Sequence, residues 1–187
     1  TIPGFTLELP FGRNRFDLGF RTEILRYVAL GSQNTENYFV LARGALDFPG
    51  GLKITLKEDF AHTNQPPNSE LTGPIESTTN SVGPSIEYAL TRQYSIGLDY
   101  TFTHVSFSKD TGVEDLDRNE HLVALTGFYK IQPKTDLLAS FGYGRKDFTN
   151  ASDRNVNLYL FLLGVRGDIT SRLSSTGWMR MSASTGS

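Results

Sequence analysis

The feature that most constrains this chain is a repeat of about forty residues, in which two long strands joined by a tight turn are followed by a longer polar connection. The last large apolar residues before successive tight turns are Leu9, Phe48, Leu90, Ile131 and Ile169, spaced by 39, 42, 41 and 38 residues. The turns fall at Pro10 to Arg13, Pro49 to Gly51, Thr91 to Arg92, Gln132 to Lys134 and Thr170 to Arg172. They carry Pro, Gly or small polar residues, which preset or tolerate turn dihedrals. The longer connections cover roughly Leu30 to Asn37, His62 to Thr78, Ser108 to Asn119 and Thr149 to Asn155. Short and long connections alternate throughout.

Within each repeat the apolar residues recur with period two, which is the signature of a strand with one apolar and one polar face. Tyr94, Ile96, Leu98, Tyr100 and Phe102 alternate with Ser95, Gly97, Asp99, Thr101 and Thr103. Leu52, Ile54 and Leu56 alternate with Lys53, Thr55 and Lys57, and Phe16, Leu18 and Phe20 with Asp17, Gly19 and Arg21. Pro84 interrupts the strand running from Val82 to Leu90 and predicts a bulge or weakened pairing there, because proline has no N–H to donate. From Leu158 to Leu163 both parities are apolar, as for a strand covered on both sides, and the outward face over 155–182 stays open.

Strand length decides between architectures. Sandwich strands run near five or six residues, and a propeller blade needs four strands per repeat. Here each repeat supplies two strands of about 12 to 15 residues. Tilted strands of about 9 to 11 residues cross the apolar layer of an outer membrane, with short turns on one side, longer loops on the other and aromatic girdles at both interfaces. Phe16, Phe48, Tyr88, Tyr94 and Tyr129 lie near the short turns, and Tyr38, Phe60, Phe102 and Tyr143 nearer the long loops. The expected fold is therefore all-β, a transmembrane antiparallel up-and-down β-barrel with about ten strands in this sequence.

Following strand direction places both ends of the sequence on the long-loop side. Residues 1–187 are thus expected to form a single β-barrel domain incomplete at both ends, part of a barrel of twelve strands or more.

Composition narrows the chemistry. The chain has no cysteine, which removes thiol catalysis and cysteine-ligated zinc. Its net charge of −2 gives no basic excess for nucleic acid. The longest apolar run, Leu158 to Val165, is far short of the roughly 20 residues a transmembrane helix needs.

The segments Tyr88-Ala89-Leu90-Thr91-Arg92-Gln93-Tyr94-Ser95-Ile96-Gly97-Leu98-Asp99-Tyr100 and Asp117-Arg118-Asn119-Glu120-His121, set in this hairpin repeat, resemble the β-barrel porin 2 family. The resemblance covers most of residues 14 to 182 and implies a porin of the outer membrane of a Gram-negative bacterium. It implies a channel or conduit linked to exopolysaccharide export or passive diffusion, with outer-membrane lipid and lipopolysaccharide as surroundings. Polysaccharide or other envelope proteins would be its partners. The alternative is a structural or adhesive barrel that docks a protein or glycan through its long loops. The family supplies no catalytic residues, and the chain is expected to be no enzyme and to need no cofactor.

If the polar parity faces a lumen, the lining includes Arg21, Glu23, Arg43, Asp47, Lys53, Lys57, Asp59, Glu87, Asp99 and Lys146. Both signs occur, which argues against strong ion selectivity. Cross-strand ion pairs that hold the wall together are the structural alternative.

Two other clusters and one lone aromatic residue bear on chemistry. His104-Val105-Ser106, with Asn119 downstream, has a spacing similar to outer-membrane phospholipase A, but Phe107, Ser108 and Lys109 do not match that enzyme's pattern. The expectation is an interfacial histidine. Asp110, Glu114, Asp115, Asp117 and Glu120 lack the ligand spacing and turn glycine of an EF-hand, so they read as a solvated acidic loop and not a metal site. Trp178, the only tryptophan, is expected at a membrane interface.

Overall fold

The computed structural model describes residues 2–26, 34–64, 76–108, 114–170 and 173–186, with side chains as far as residue 167. The predicted connections at Leu30 to Asn37, His62 to Thr78 and Ser108 to Asn119, and the turn at Thr170 to Arg172, lie partly outside the described residues. The strands are β1 (Gly4–Phe11), β2 (Asn14–Leu25), β3 (Thr35–Phe48), β4 (Leu52–Asn64), β5 (Glu76–Ala89), β6 (Tyr94–Phe107), β7 (Arg118–Gln132), β8 (Thr135–Phe148), β9 (Val156–Thr170) and β10 (Leu173–Gly186). Glu114–Leu116 and Ser152–Arg154 each form one turn of 3-10 helix.

All ten strands belong to one antiparallel sheet in sequence order, an up-and-down meander. Among the described residues β1 pairs only with β2 and β10 only with β9, so the sheet is not closed.

Local chemistry sets the hairpins. Gly12, Gly50 and Gly51 take positive φ of 65°, 96° and 85°, which β-carbon-bearing residues rarely adopt. Between β5 and β6 the connection is longer than expected, running from Leu90 to Gln93, because Thr91 closes it. Its Oγ1 accepts the N–H of Gln93 at 3.1 Å and of Tyr94 at 3.0 Å. The break expected at Pro84 is weakened pairing and not a bulge. Val82 pairs with Phe102 and Ser85 with Asp99 in unchanged register, while Gly83 and Pro84 have no ladder partner on β6.

Register sorts the side chains into two unlike faces. One carries Phe5, Leu7 and Leu9 on β1 and Phe16, Leu18 and Phe20 on β2, and continues through Ile86, Leu98, Leu125, Phe141 and Phe161. Among the described residues twenty-nine large hydrophobic side chains are exposed and three, Val105, Leu138 and Leu160, are buried. A water-soluble domain inverts that ratio, since burial of apolar area is its main source of stability.

Aromatic residues bound this apolar face at both ends. Tyr94 stacks near Tyr129 by the short turns, with centroids 5.1 Å apart, and Tyr143 lies 5.4 Å from Tyr159 toward the loops. The loop-side rim also holds all three histidines, each tied across a strand. His62 Nδ1 lies 3.1 Å from Thr78 Oγ1, His104 Nδ1 2.8 Å from Asn119 Oδ1 and His121 Nδ1 2.8 Å from the Tyr100 hydroxyl. Glu36, Glu76 and Asp147 share this face at its loop-side rim, and among the described residues one carboxylate interrupts it between its aromatic ends. Glu58 is exposed between Leu56 and Phe60, opposite Ala42 and Val82.

In β9 the apolar run splits by parity. Tyr159, Phe161, Leu163 and Val165 are exposed on the apolar face, whereas Leu160 on the other face is buried. The strand is covered on one side only.

Candidate functional site

The second face is polar, and it is concave. Arg166 on β9 reaches Glu87 on β5 across the three intervening strands, with Nη1 3.1 Å from Oε2 and Nη2 3.2 Å from Oε1. At the usual spacing four strand-to-strand steps cover about 19 Å along a sheet, beyond the reach of two side chains lying over a flat surface. The sheet therefore curls toward its polar face between β5 and β9.

Three neighbours hold Arg166 in that position. Asp136 lies directly opposite it on β8 and accepts from Nη2 at 2.9 Å and from Nε at 3.2 Å. The guanidinium rests over the Phe128 ring, 4.3 Å from its centroid, a cation–π contact. Phe128 can lie flat there because Gly97 has no β-carbon; one would stand 3.2 Å from Phe128 Cε2. The paired geometry to Glu87 is the fork arrangement that makes arginine–carboxylate contacts directional.

Around this cluster a cavity of about 940 Å³ opens at the short-turn end, lined by Gly50, Gly51, Arg92, Gln93, Lys130 and Lys134 among others. At the long-loop end a second cavity of about 560 Å³ is lined by Thr101, Thr103, Leu158, Leu160 and Leu162. There Glu120 accepts from Arg118 Nε at 2.6 Å and pairs with Lys146 Nζ at 3.0 Å. Between the two, Thr126 donates to Ser140 at 2.9 Å, satisfying two buried hydroxyl groups.

Register places all ten of the residues expected on the polar parity on this face. Arg21 lies over the Phe39 ring at 4.4 Å and pairs with Glu23 at 3.3 Å. Arg43 sits between Asp17 and Lys57, and the like-charged pair opposes its own ladder contact. Lys53 lies between Asp47 and Glu87, Asp59 between Leu41 and Ser81. Asp99 accepts from Ser85 Oγ at 2.6 Å, and Lys146 is opposite Glu120.

Phe128, Asp136 and Arg166, which meet Glu87 across the curve, were not among the residues expected from the sequence. Arg166 follows an apolar run in which alternation is hidden, and nothing local ties it to a residue 79 positions away. The available signal was Arg166 itself, the charge that fixes which parity of β9 is polar.

The other clusters resolve simply. His104 and Ser106 belong to the loop-side rim of the apolar face, with Ser106 opposite Thr78. Asp110 lies outside the described residues; of its neighbours, Asp117 Oδ1 accepts the Phe107 N–H at 2.7 Å and Glu120 is committed to two cations. Among the described residues no group of histidine and carboxylate side chains has the arrangement of a metal site. The Trp178 side chain lies outside those described.

The arrangement is a concave wall of charged side chains, many held in ion pairs, suited to noncovalent contact with polar solutes. No family model, curated protein or solved structure matches the chain.

Proposed function

We propose that this chain forms the wall of an outer-membrane β-barrel channel or conduit of a Gram-negative bacterium. Polar solutes or a polysaccharide would pass along its concave face. The observation that carries the reading is the continuous exposed apolar face opposite a concave charged one, the reverse of a soluble fold.

The dimensions agree with a bilayer. From Tyr94 to Phe102 an extended strand rises about 27 Å, which at a tilt of about 40° gives a band about 21 Å tall. An outer-membrane barrel presents about 25 Å. The aromatic rim also steps along the strands. Tyr38 of β3 connects through His62 and Thr78 to Ser106 on β6, but the rim aromatic of β6 is Phe102, nearer the turns. Strands tilted to the membrane normal produce that drift.

In this reading the short turns face the periplasm and the long loops the exterior. The hairpin resemblance to the β-barrel porin 2 family supports a place in exopolysaccharide export, with no covalent chemistry. Reconstitution into planar bilayers tests it. Discrete open steps are the expected result, and a sealed, folded protein without conductance would remove the conduit.

A further inference from the structure

The polar face as a whole carries both signs, but its short-turn end does not balance. Register places Lys53 between Glu87 and Asp47, the latter outside the cavity lining and in no ion pair with it, and Lys130 opposite Asp136. Arg166 takes Glu87 and Asp136, the two that line the cavity. Arg92 and Lys134, on the adjoining turns, line the same cavity. None of these four cations forms an ion pair among the described residues.

Five cations therefore surround a cavity of about 940 Å³ against two carboxylates, and both carboxylates are spent on one arginine. In a chain whose net charge is −2, this is a local reversal of sign. A concave, low-dielectric wall concentrates such a field toward its opening.

We propose that this vestibule captures a glycan chain bearing anionic groups, carboxylate or phosphate, at the short-turn mouth. The proposal rests on the conduit reading and names its solute class. Lys53 and Lys130 meet the anionic groups from the wall, and Arg92 and Lys134 meet them from the rim. The hydroxyl groups of Thr91 and Ser95 and the Gln93 amide, which share the lining, supply hydrogen bonds to sugar hydroxyls. Arg166 acts as a positioning residue, holding the two acids away from the lysines.

The test is titration of the detergent-folded protein with a hexameric oligogalacturonate, a hexameric glycan phosphate and neutral maltohexaose, followed by calorimetry. The anionic oligomers are expected to bind and the neutral one not. The Lys130→Gln, Lys134→Gln double variant should weaken anionic binding about tenfold, and so should raising salt from about 50 to 300 mM. Arg92→Gln, on a turn outside the ladder, provides a second variant with the same expectation. Preference between carboxylate and phosphate identifies the source of the charge. Equal binding of maltohexaose, or binding indifferent to the lysines, would overturn the vestibule. Conductance measured on the same preparation reads the conduit separately, because open steps without anionic binding remove only the present proposal.

Discussion

Arg166 on β9 holds Glu87 on β5 in a two-point contact at 3.1 and 3.2 Å, although three strands lie between them. This contact ties the curvature of the sheet to a single side chain. Together with the Asp136 contact, it also draws the two cavity-lining acids away from Lys53 and Lys130.

If that tie stabilises the curl, Arg166→Met should cost about 1–2 kcal/mol, the range of charge-assisted contacts that remain partly exposed. Urea unfolding from lipid vesicles measures it. Glu87→Gln should cost less in the Arg166→Met background than alone, and strictly additive losses would mean the two residues are not coupled in the folded protein.

The two faces should respond unequally to charge. Leu125→Lys places a cation on the apolar face and is expected to cost about 2–4 kcal/mol when the site lies near the bilayer midplane. Thr6→Lys, exposed on the polar face opposite Gly19, should cost under about 1 kcal/mol. Equal losses in vesicle-folding equilibria would show that the faces are assigned wrongly.

Glu58 is the exception on the apolar face between its aromatic ends, and its removal should help. If the apolar face meets lipid as proposed, Glu58→Leu is expected to raise stability in vesicles by about 1 kcal/mol, less than removal of a basic side chain would give. A loss of stability would instead mean that the carboxylate contacts protein.

Glycine positions separate turn geometry from packing. Gly51 has φ of 85° and an added β-carbon would stand 2.7 Å from Ala89 Cβ, so Gly51→Ala should destabilise by about 1–3 kcal/mol. Gly44 lies within β3 with nothing within 4 Å of such a carbon, and Gly44→Ala should be neutral or gain up to about 1 kcal/mol. Thermal melts in detergent distinguish the two.

Alternation made most of the fold legible before any coordinates. Tyr94 to Phe102 announces a strand and both of its faces, and the turn residues fix where each hairpin closes, because both signals are local. The Thr91 turn ran longer than expected because its hydroxyl, and not a glycine, satisfies the turn amides. Pro84 kept register because only the β6 side of the ladder lost its partners there.

The sequence by itself determined the strands, their order and, where alternation is clean, the division of residues between two faces, since a side-chain period of two ties neighbours in the chain to opposite sides of a sheet; over 155–182 it left the face open. Lys53, Lys57 and Asp59 were assigned to one face on that ground alone. Only the tertiary structure decided which way the sheet bends, that Leu160 is covered while Phe161 is not, and that Arg166 draws Glu87 and Asp136 away from Lys53 and Lys130. Those outcomes depend on side chains meeting across several strands, and the local period carries no information about distances measured around a curve.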